Sequence, residues 1–525
     1  MSLAHPMSEE SDLAGLVGGR RVIVASNRGP VEFKKAPNGR LVSKRGSGGV
    51  VTALADLARE VPLTWIAAAM TDGDRIAFPE GSATTREMRL GREAVTVRYV
   101  AVPAEAYHLH YDEISNQYLW FLQHFLWNPA ESPTFTEEQH HAWDHGYRVV
   151  NQAIADAVVD EARRVGNDTD GAESLILLQD YHLYLAAGFI RQRLPNATIQ
   201  QFIHIPWPSV RYWQLLPDAM LRALFEGLAA NDVIGFQTER DARSYLECVR
   251  VVLPDARVDL DAGRVVRRRR RQIARAYPIT VDAEDVRKTL ASAAARAATN
   301  ELAAQIADDM RVIVRVDRLE PTKNIQRGLL AYQELIRAHP ELRGTVRHLL
   351  FLVPSRENVP SYRKYAREVR RLIGRINREY GSKGWRPIVA YFDNNRARAL
   401  VALRRADVVL VNPIFDGMNL VIKEAAFASE RDAVLILSRT AGAYVQLAEA
   451  VLPVSPLDVA ETADQLYEAL TISESDRHRL AGRARSIVQS DTLVDWITNQ
   501  VRDAASVRPS PASTRRIGVT LSRAG

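Results

Sequence analysis

Pro413-Ile-Phe-Asp-Gly-Met-Asn-Leu-Val-Ile-Lys-Glu424 follows directly on the apolar run Val408-Val-Leu-Val411. The run is short and rich in β-branched residues, as a buried strand requires, and the residues after Asn419 favour a helix. The stretch therefore predicts a strand, a tight loop and a helix start. Asp416 is placed to cap the first turn, Gly417 lets the backbone approach a ligand, and the N–H groups of Met418, Asn419 and Leu420 form a seat for an anion. The carboxylates Asp416 and Glu424 add acceptors for sugar or ribose hydroxyls, which a site for phosphate alone would not need. Standing by itself, such a stretch is more often an ordinary capped core helix.

It does not stand by itself. Upstream, Val312-Ile-Val-Arg-Val316 reads as a strand whose following loop carries Arg318 and Lys323, two cations that can converge near a helix N-terminus, as a leaving diphosphate requires. His348-Leu-Leu-Phe-Leu-Val353 leads to Ser355-Arg356, and residues 388–391, 434–437 and 451–454 supply further strands. The N-terminal half repeats the theme. Arg21-Val-Ile-Val-Ala25 ends in Ser26-Asn-Arg28, Leu175-Ile-Leu-Leu178 runs into Gln179-Asp-Tyr-His182, and Gln201-Phe-Ile-His204 is cut short by Pro206 and Pro208. Gly46-Ser-Gly-Gly49 opens a helical pattern and is a candidate phosphate cradle. Residues 111–127 are unusually aromatic; most read as core, while Tyr111 and Trp120 can present a polar tip at a pocket rim. Polar residues at the ends of successive apolar strands, with helices between, predict two doubly wound α/β domains.

A chain of 525 residues is too long for one ordinary core. Its single cysteine, Cys248, excludes a disulfide framework and a cysteine-rich metal site. No apolar run approaches the roughly 20 residues of a membrane helix, and the N-terminus lacks the apolar centre of a signal peptide. A cytoplasmic protein without a membrane partner is expected. Much of the net charge of +6 lies in the arginines at 267–271 and in the tail. The arginine run follows the turn signal Asp261-Ala-Gly263 and reads as a solvated hairpin arm, so no nucleic-acid partner is expected.

Taken together and in this order, these residues resemble the trehalose-6-phosphate synthases, retaining glycosyltransferases with the GT-B architecture of two Rossmann-like domains facing across a cleft. The resemblance runs from about Val22 to about Asp503. It implies a disordered segment 1–19, an acceptor-binding domain 20–276, a nucleotide-sugar-binding domain 277–505 whose last helix can pack back on the first domain, and a disordered tail 506–525. It also implies roles. Arg318 and Lys323 would hold the donor diphosphate, Gly48 and Gly49 would close over it, and Glu424 would bind the ribose. Asp416 with the N–H groups of Met418, Asn419 and Leu420 would bind glucose hydroxyls, with His204 on the far side of the sugar. Arg28, Tyr111, Trp120, Asp180 and Arg356 would form the acceptor site.

The reaction so implied moves glucose, with retention, from a nucleotide diphosphate glucose such as UDP- or GDP-glucose to glucose 6-phosphate. It needs no metal and no cofactor, and a homo-oligomer is compatible with it. The sequence departs from the commoner pattern at Phe415 (arginine elsewhere), Gln179 (histidine), Thr280 (glycine) and Trp207 (phenylalanine), and in Ile66-Ala-Ala-Ala69, which lacks a Gly-Trp-Ser-Gly. Some of these changes are shared with a branch that couples a nucleotide-linked cyclitol to an aminocyclitol phosphate. A catalytically silent sugar-phosphate sensor is a further alternative, against which Arg318 and Lys323 argue. A two-carboxylate glycosidase built on Asp180 and Asp416 leaves the cations unexplained, and no G-x-G-x-x-G follows the first strand to suit a dinucleotide oxidoreductase.

Overall fold

The computed structural model describes residues 13–507, apart from 37, 46–50, 52, 53, 55, 56, 59, 91, 92, 165–169 and 308. The chain divides into two compact units, residues up to Pro278 together with those from Leu493 onward, and residues Ile279–Thr492.

The first unit is built on a ten-stranded sheet. Its strands are β1 (Arg21–Ser26), β4 (Leu63–Ala68), β5 (Arg86–Leu90), β6 (Glu93–Val100), β7 (Ser174–Gln179), β8 (Thr198–Phe202), β9 (Val233–Phe236), β10 (Arg257–Asp259), β11 (Arg264–Arg267) and β12 (Arg270–Ala276), while β2 (Val31–Lys35) and β3 (Leu41–Arg45) form a separate hairpin. The order is β10-β11-β12-β9-β8-β7-β1-β4-β6-β5. The seven strands from β12 to β6 run parallel, and their centre is buried on both faces, which is why β1 and β7 read as apolar runs without alternation. From β1 the chain fills the sheet in one direction through β4 and β6, then returns to β7 and proceeds the other way, so the order reverses between β1 and β7.

The arginine run at 267–271 forms the β11–β12 hairpin, with Arg268 and Arg269 at φ 48° and 65° in its turn and Arg267 paired to Asp255 and Glu226. It is a solvated arm, as its turn signal indicates.

The second unit carries six parallel strands, β13 (Arg311–Arg318), β14 (Val346–Val353), β15 (Ile388–Tyr391), β16 (Val408–Val411), β17 (Val434–Ser438) and β18 (Leu452–Val454). Their order is β15-β14-β13-β16-β17-β18, with the reversal between β13 and β16. Its core joins one face of this sheet to the helices Ile325–Ala338, Pro360–Tyr380 and Val459–Thr471.

One expectation at the termini needs correction. Residues 13–17 are not disordered: Leu13–Val17 is a short helix with Leu13 and Val17 buried, and Arg20 behind it donates to the Val17 carbonyl and to Thr198 Oγ1. The helix Leu493–Val507 belongs to the first unit rather than the second. Trp496 anchors it there, edge-on to Phe202 at 5.0 Å with its indole N–H on the Tyr277 carbonyl, while Gln500 accepts from Gln200 at 2.7 Å and Asp503 accepts from Arg275 and Tyr277. Residues 1–12 and the tail from 508 lie outside the described residues. Removing the indole deletes a large buried apolar group. Trp496→Ala is expected to lower the stability of the first unit by about 3 kcal/mol, read as an earlier urea midpoint by tryptophan-independent circular dichroism.

Candidate functional site

In parallel α/β sheets, ligands sit beyond the carboxyl ends of the strands where strand order reverses, because the connections there diverge and leave a crevice. The sequence-predicted residues fall on both reversal points. In the second unit, the loop after β13 and the loop after β16 are sewn together. Ile414 N–H donates to the Thr322 carbonyl at 3.0 Å, and Asn324 Nδ2 donates to the Asn412 carbonyl at 2.9 Å. Arg315, 0% exposed, donates to Asn412 Oδ1 at 2.6 Å and to the Lys323 carbonyl, and lies 2.9 Å from Asp317. Burial outweighs the neighbouring cations and pushes the Asp317 carboxyl up to about 6.

Lys323 ends a 3₁₀ turn, Pro321–Lys323, and Asn324 in the left-handed conformation (φ 57°) opens the helix Ile325–Ala338. The Lys323 ammonium lies 2.5 Å from Asp416 Oδ2, which also accepts from Asn419 Nδ2 at 3.0 Å. Asp416 is thus not the helix cap. The helix Leu420–Ala428 starts four residues later, and Asn419 (φ 73°) caps it by accepting the Ile422 N–H. The first-turn N–H groups of Leu420 and Val421 have no acceptor within the helix. Met418 is buried, and its carbonyl accepts the Ala443 N–H. Gly442 faces this loop so closely that a Cβ there would stand 1.7 Å from the Gly417 carbonyl oxygen.

Arg318 and Arg356, expected in the donor and acceptor sites respectively, share one partner. Glu320, 0% exposed, accepts Arg318 Nη2 on Oε1 at 3.0 Å and Arg356 Nη1 on Oε2 at 3.1 Å. Arg356 also donates to the Tyr362 hydroxyl at 2.7 Å, and its backbone is held at a φ of 46°. Arg356 therefore lies in the second unit and beside Arg318, while Arg28 lies in the first. Glu424 is bound by Arg396, which also holds Asp285; burial raises its pKa and Arg396 opposes the shift. Lys423 next to it donates to the Ile279 carbonyl, and its burial lowers its pKa to about 8.

In the first unit the loops after β1, β7 and β8 carry the remaining predicted residues. Arg28 is exposed at the end of β1. Next to it, Asn27 donates to the Tyr107 hydroxyl at 3.2 Å, and Tyr107 stacks on Tyr111, which stacks in turn on His182. Tyr111 belongs to a π-helical segment, Leu109–Leu119, at whose end Trp120 N–H reaches back to the Ser115 carbonyl. Trp120 is not a rim residue. At 5% exposure it packs under His124 and Tyr181.

Asp180 leaves β7 at φ 70°, a left-handed conformation that an aspartate holds only when its surroundings fix it. They do. Its N–H donates to the Phe202 carbonyl at 2.7 Å, and the following loop is clamped by Tyr147, which donates to the Tyr181 carbonyl, and by Asn151, which donates to the His182 carbonyl. Asp180 Oδ1 accepts the His204 N–H at 3.3 Å, and His204 Nε2–H donates to Gln179 Oε1 at 3.0 Å. Gln179, one of the departures from the family pattern, is thus the partner of a predicted site residue. Trp207, another, packs in an aromatic core with Trp213 and Tyr245, and Thr280 is buried. Gly48 and Gly49 lie outside the described residues.

The structure thus joins Lys323 with Asp416 and Asn419, Arg318 with Arg356, Asp180 with His204, and Tyr111 with the Tyr107–Asn27 end of β1. Sequence reading missed Arg315, Asp317, Glu320, Tyr147, Asn151 and Gly442, all of which hold others in place. A fully buried position has no motif of its own, although Asp317 and Glu320 sit one and two residues from Arg318, a cation already singled out. Desolvation pushes His204 down to about 3, and does the same to His110 and His348. The unfolded chain takes up protons below about pH 6.5 that these imidazoles refuse, so acidification costs stability between that pH and about 3. Imidazole ¹⁵N signals are expected to show His204 neutral at about pH 5; protonation near its ordinary pKa would refute the assigned burial.

Comparison with known proteins places this geometry. The model of glycosyltransferase family 20 matches residues 20–506. The chain is 33% identical over 502 residues to the bifunctional trehalose-6-phosphate synthase/phosphatase of Thermoproteus tenax, covering 93% of this chain and 64% of that protein's length. It is 29% identical over 505 residues to the validamine 7-phosphate valienyltransferase of Streptomyces hygroscopicus subsp. jinggangensis, covering 94% and 96%. Among solved structures, the α,α-trehalose-phosphate synthase (UDP-forming) of Burkholderia xenovorans in complex with glucose-6-phosphate superposes with a TM-score of 0.77 at 25% identity, covering 92% of this chain and all of that one. Among the described residues no helix is long and apolar enough to cross a membrane. The chain belongs to glycosyltransferase family 20, and it is a nucleotide-sugar glycosyltransferase of the GT-B fold.

Proposed function

We propose that the enzyme is an α,α-trehalose-6-phosphate synthase that moves glucose, with retention, from a nucleotide diphosphate glucose to glucose 6-phosphate. The observation that carries this reading is the Lys323–Asp416 pair at the reversal point of the second sheet, between two helix N-termini and in the same loop as Arg318. A leaving diphosphate gains negative charge as its bond to the sugar breaks, and cations already in place stabilise that charge without rearrangement. Lys323 and Arg318 are assigned this task, and the first-turn N–H groups at Leu420 and Val421 add to it.

Asp416 and Asn419 bind glucose hydroxyls, and Glu424 binds the ribose. His204, neutral because it is desolvated, can hydrogen-bond a sugar hydroxyl without placing a charge near the anomeric carbon. Arg28, with Tyr111 and Asp180, is assigned to the acceptor, and Arg356 is suited to a phosphate. The acceptor hydroxyl attacks on the face that the diphosphate leaves, and the departing phosphate oxygen takes its proton. The diphosphate charge is met by side chains, so no metal ion is needed.

A second reading, transfer of a nucleotide-linked cyclitol to an aminocyclitol phosphate, is favoured by the similarity to the valienyltransferase over nearly its whole length. The two readings separate in one experiment. Labelled glucose carried on uridine, guanosine or adenosine diphosphate is offered with glucose 6-phosphate, and the product is identified by mass and by trehalase after dephosphorylation. Trehalose 6-phosphate is the expected product; failure with all three donors, together with reaction of an aminocyclitol phosphate, establishes the second reading. Lys323→Ala should reduce transfer at least about 10³-fold with an unchanged circular dichroism spectrum, and near-normal turnover would remove Lys323 from the mechanism. Turnover in excess chelator is expected to equal turnover without it; loss restored by a divalent ion would show that the cations do not suffice.

A further inference from the structure

The helix Pro360–Tyr380 in the second unit and the turn after it carry charge that the sugar-transfer reaction does not use. Tyr362, Val369, Ile373 and Ile376 pack one side of the helix into the unit's core. The opposite side is an unbroken row of cations. At 3.6 residues per turn, Arg363, Lys364, Arg367, Arg370, Arg371, Arg375 and Arg378 all fall within an arc of about 140°, along a helix about 31 Å long. Arg363, Arg367, Arg371 and Arg375 follow one another at i,i+4 spacing, the arrangement in which like charges repel most directly on a helix.

All seven are exposed, and among the described residues none makes an ion pair. Other arginines of this chain commonly do, as Arg191 with Asp232 and Arg439 with Glu461 show. The two acids on the helix do not relieve the row. Glu368 accepts from Gln326 and Glu379 from Gln333, both on the neighbouring helix Ile325–Ala338. The acid preceding the helix, Glu357, offers Arg363 only its backbone carbonyl.

The row ends in a concavity of about 530 Å³ lined by Arg378, Lys383 and Arg386 together with Asn377, Ser382 and Trp385. Its walls are fixed. Asn377 makes two hydrogen bonds to the backbone of Ile388, Ser382 and Trp385 exchange backbone hydrogen bonds, and the Trp385 indole N–H donates to the Val346 carbonyl.

From this geometry we infer that the outer face of helix Pro360–Tyr380, with the concavity at its end, binds a linear phosphate polyanion of the inorganic polyphosphate class. An extended chain of phosphates meets a straight row of guanidinium groups and releases their counterions. The face lacks what other polyanions would use. Its cationic arc contains no Asn, Gln, Ser or Thr to read base edges, Asn377 in the concavity is committed to the Ile388 backbone and leaves Ser382 there, and the nearby rings are withdrawn: Trp385 and Tyr362 are buried, and Arg370 covers the Phe392 ring at 3.6 Å. Nor can the helix insert into a lipid surface, because its apolar side is already packed.

The test measures binding of sodium polyphosphate to the full chain by calorimetry over a series of potassium chloride concentrations. The wild type is compared with a variant carrying Arg371→Ser, Arg375→Ser, Arg378→Ser and Lys383→Ser. None of these residues belongs to the transfer machinery, so sugar transfer is expected to be unchanged and also reports that the variant is folded. Should the fourfold change impair folding, Arg375→Ser with Arg378→Ser alone carries the comparison. The wild type is expected to bind, and the fourfold variant to bind at least about tenfold more weakly with a slope of log K against log [salt] reduced by about 3. Absence of binding, or equal affinity and slope in the variant, overturns the proposal. Single-stranded RNA and phosphatidylglycerol vesicles are measured alongside, and tighter binding of either through the same residues would replace polyphosphate as the ligand.

Discussion

A single guanidinium sets the geometry of the second unit's site. Arg315 lies inside β13, fully removed from water, and must satisfy its donors internally. Its terminal nitrogens reach the side chain of Asn412 at the end of β16 and the backbone of Lys323 in the facing loop, and its Nε is paired in charge with Asp317 in its own strand. Two loops that would otherwise diverge where strand order reverses are thereby held at a fixed separation. Gly328 makes this possible, since a Cβ there would stand 2.4 Å from an Arg315 nitrogen. Everything that gives Lys323 its place opposite Asp416 follows from that arrangement.

The first unit reaches the same end with neutral groups. Its reversal-point loop passes through Asp180 in a conformation that costs backbone energy, and tyrosine and asparagine side chains from the helical segment before β7 supply the hydrogen bonds that hold it. Tyr147 and Asn151 each act as donor and acceptor, which allows one side chain to fix both sides of the turn. The aromatic stack from Tyr107 through Tyr111 to His182 then ties this loop to the end of β1.

The polar groups assigned to substrate arrive already engaged. Lys323 faces Asp416, Arg318 and Arg356 share Glu320, and Glu424 faces Arg396. The physical reason is that a charge drawn even partly out of water needs a partner. Substrate binding at such a site is an exchange of partners, in which an incoming phosphate or hydroxyl replaces a carboxylate or shares the cation with it. The partner residues therefore shape affinity as much as the residues that touch the ligand, and Glu320, which serves two cations at once, links the fates of both.

The sequence by itself determined the fold class and the identity of most chemical groups. Apolar runs of four to six residues, alternating with helices, read as strands buried on both faces of an α/β sheet, and polar residues at their carboxyl ends mark the loops that face a ligand. The ordered set from Ser26-Asn-Arg28 to Lys423-Glu424 carried the family. What only the tertiary structure decided is which of these groups meet, because strand order is a matter of pairing and leaves no trace in local pattern. Arg356, 38 residues beyond Arg318, became its neighbour through β13–β14 pairing. Asp416 lost the helix cap to Asn419 because Lys323, 93 residues earlier, claimed its carboxylate. Trp120 turned inward to pack against His124 and Tyr181, and the helix Leu493–Val507 joined the first unit, where Trp496 packs on Phe202. Burial and long-range pairing are properties of the assembled chain, and they decided each of these outcomes.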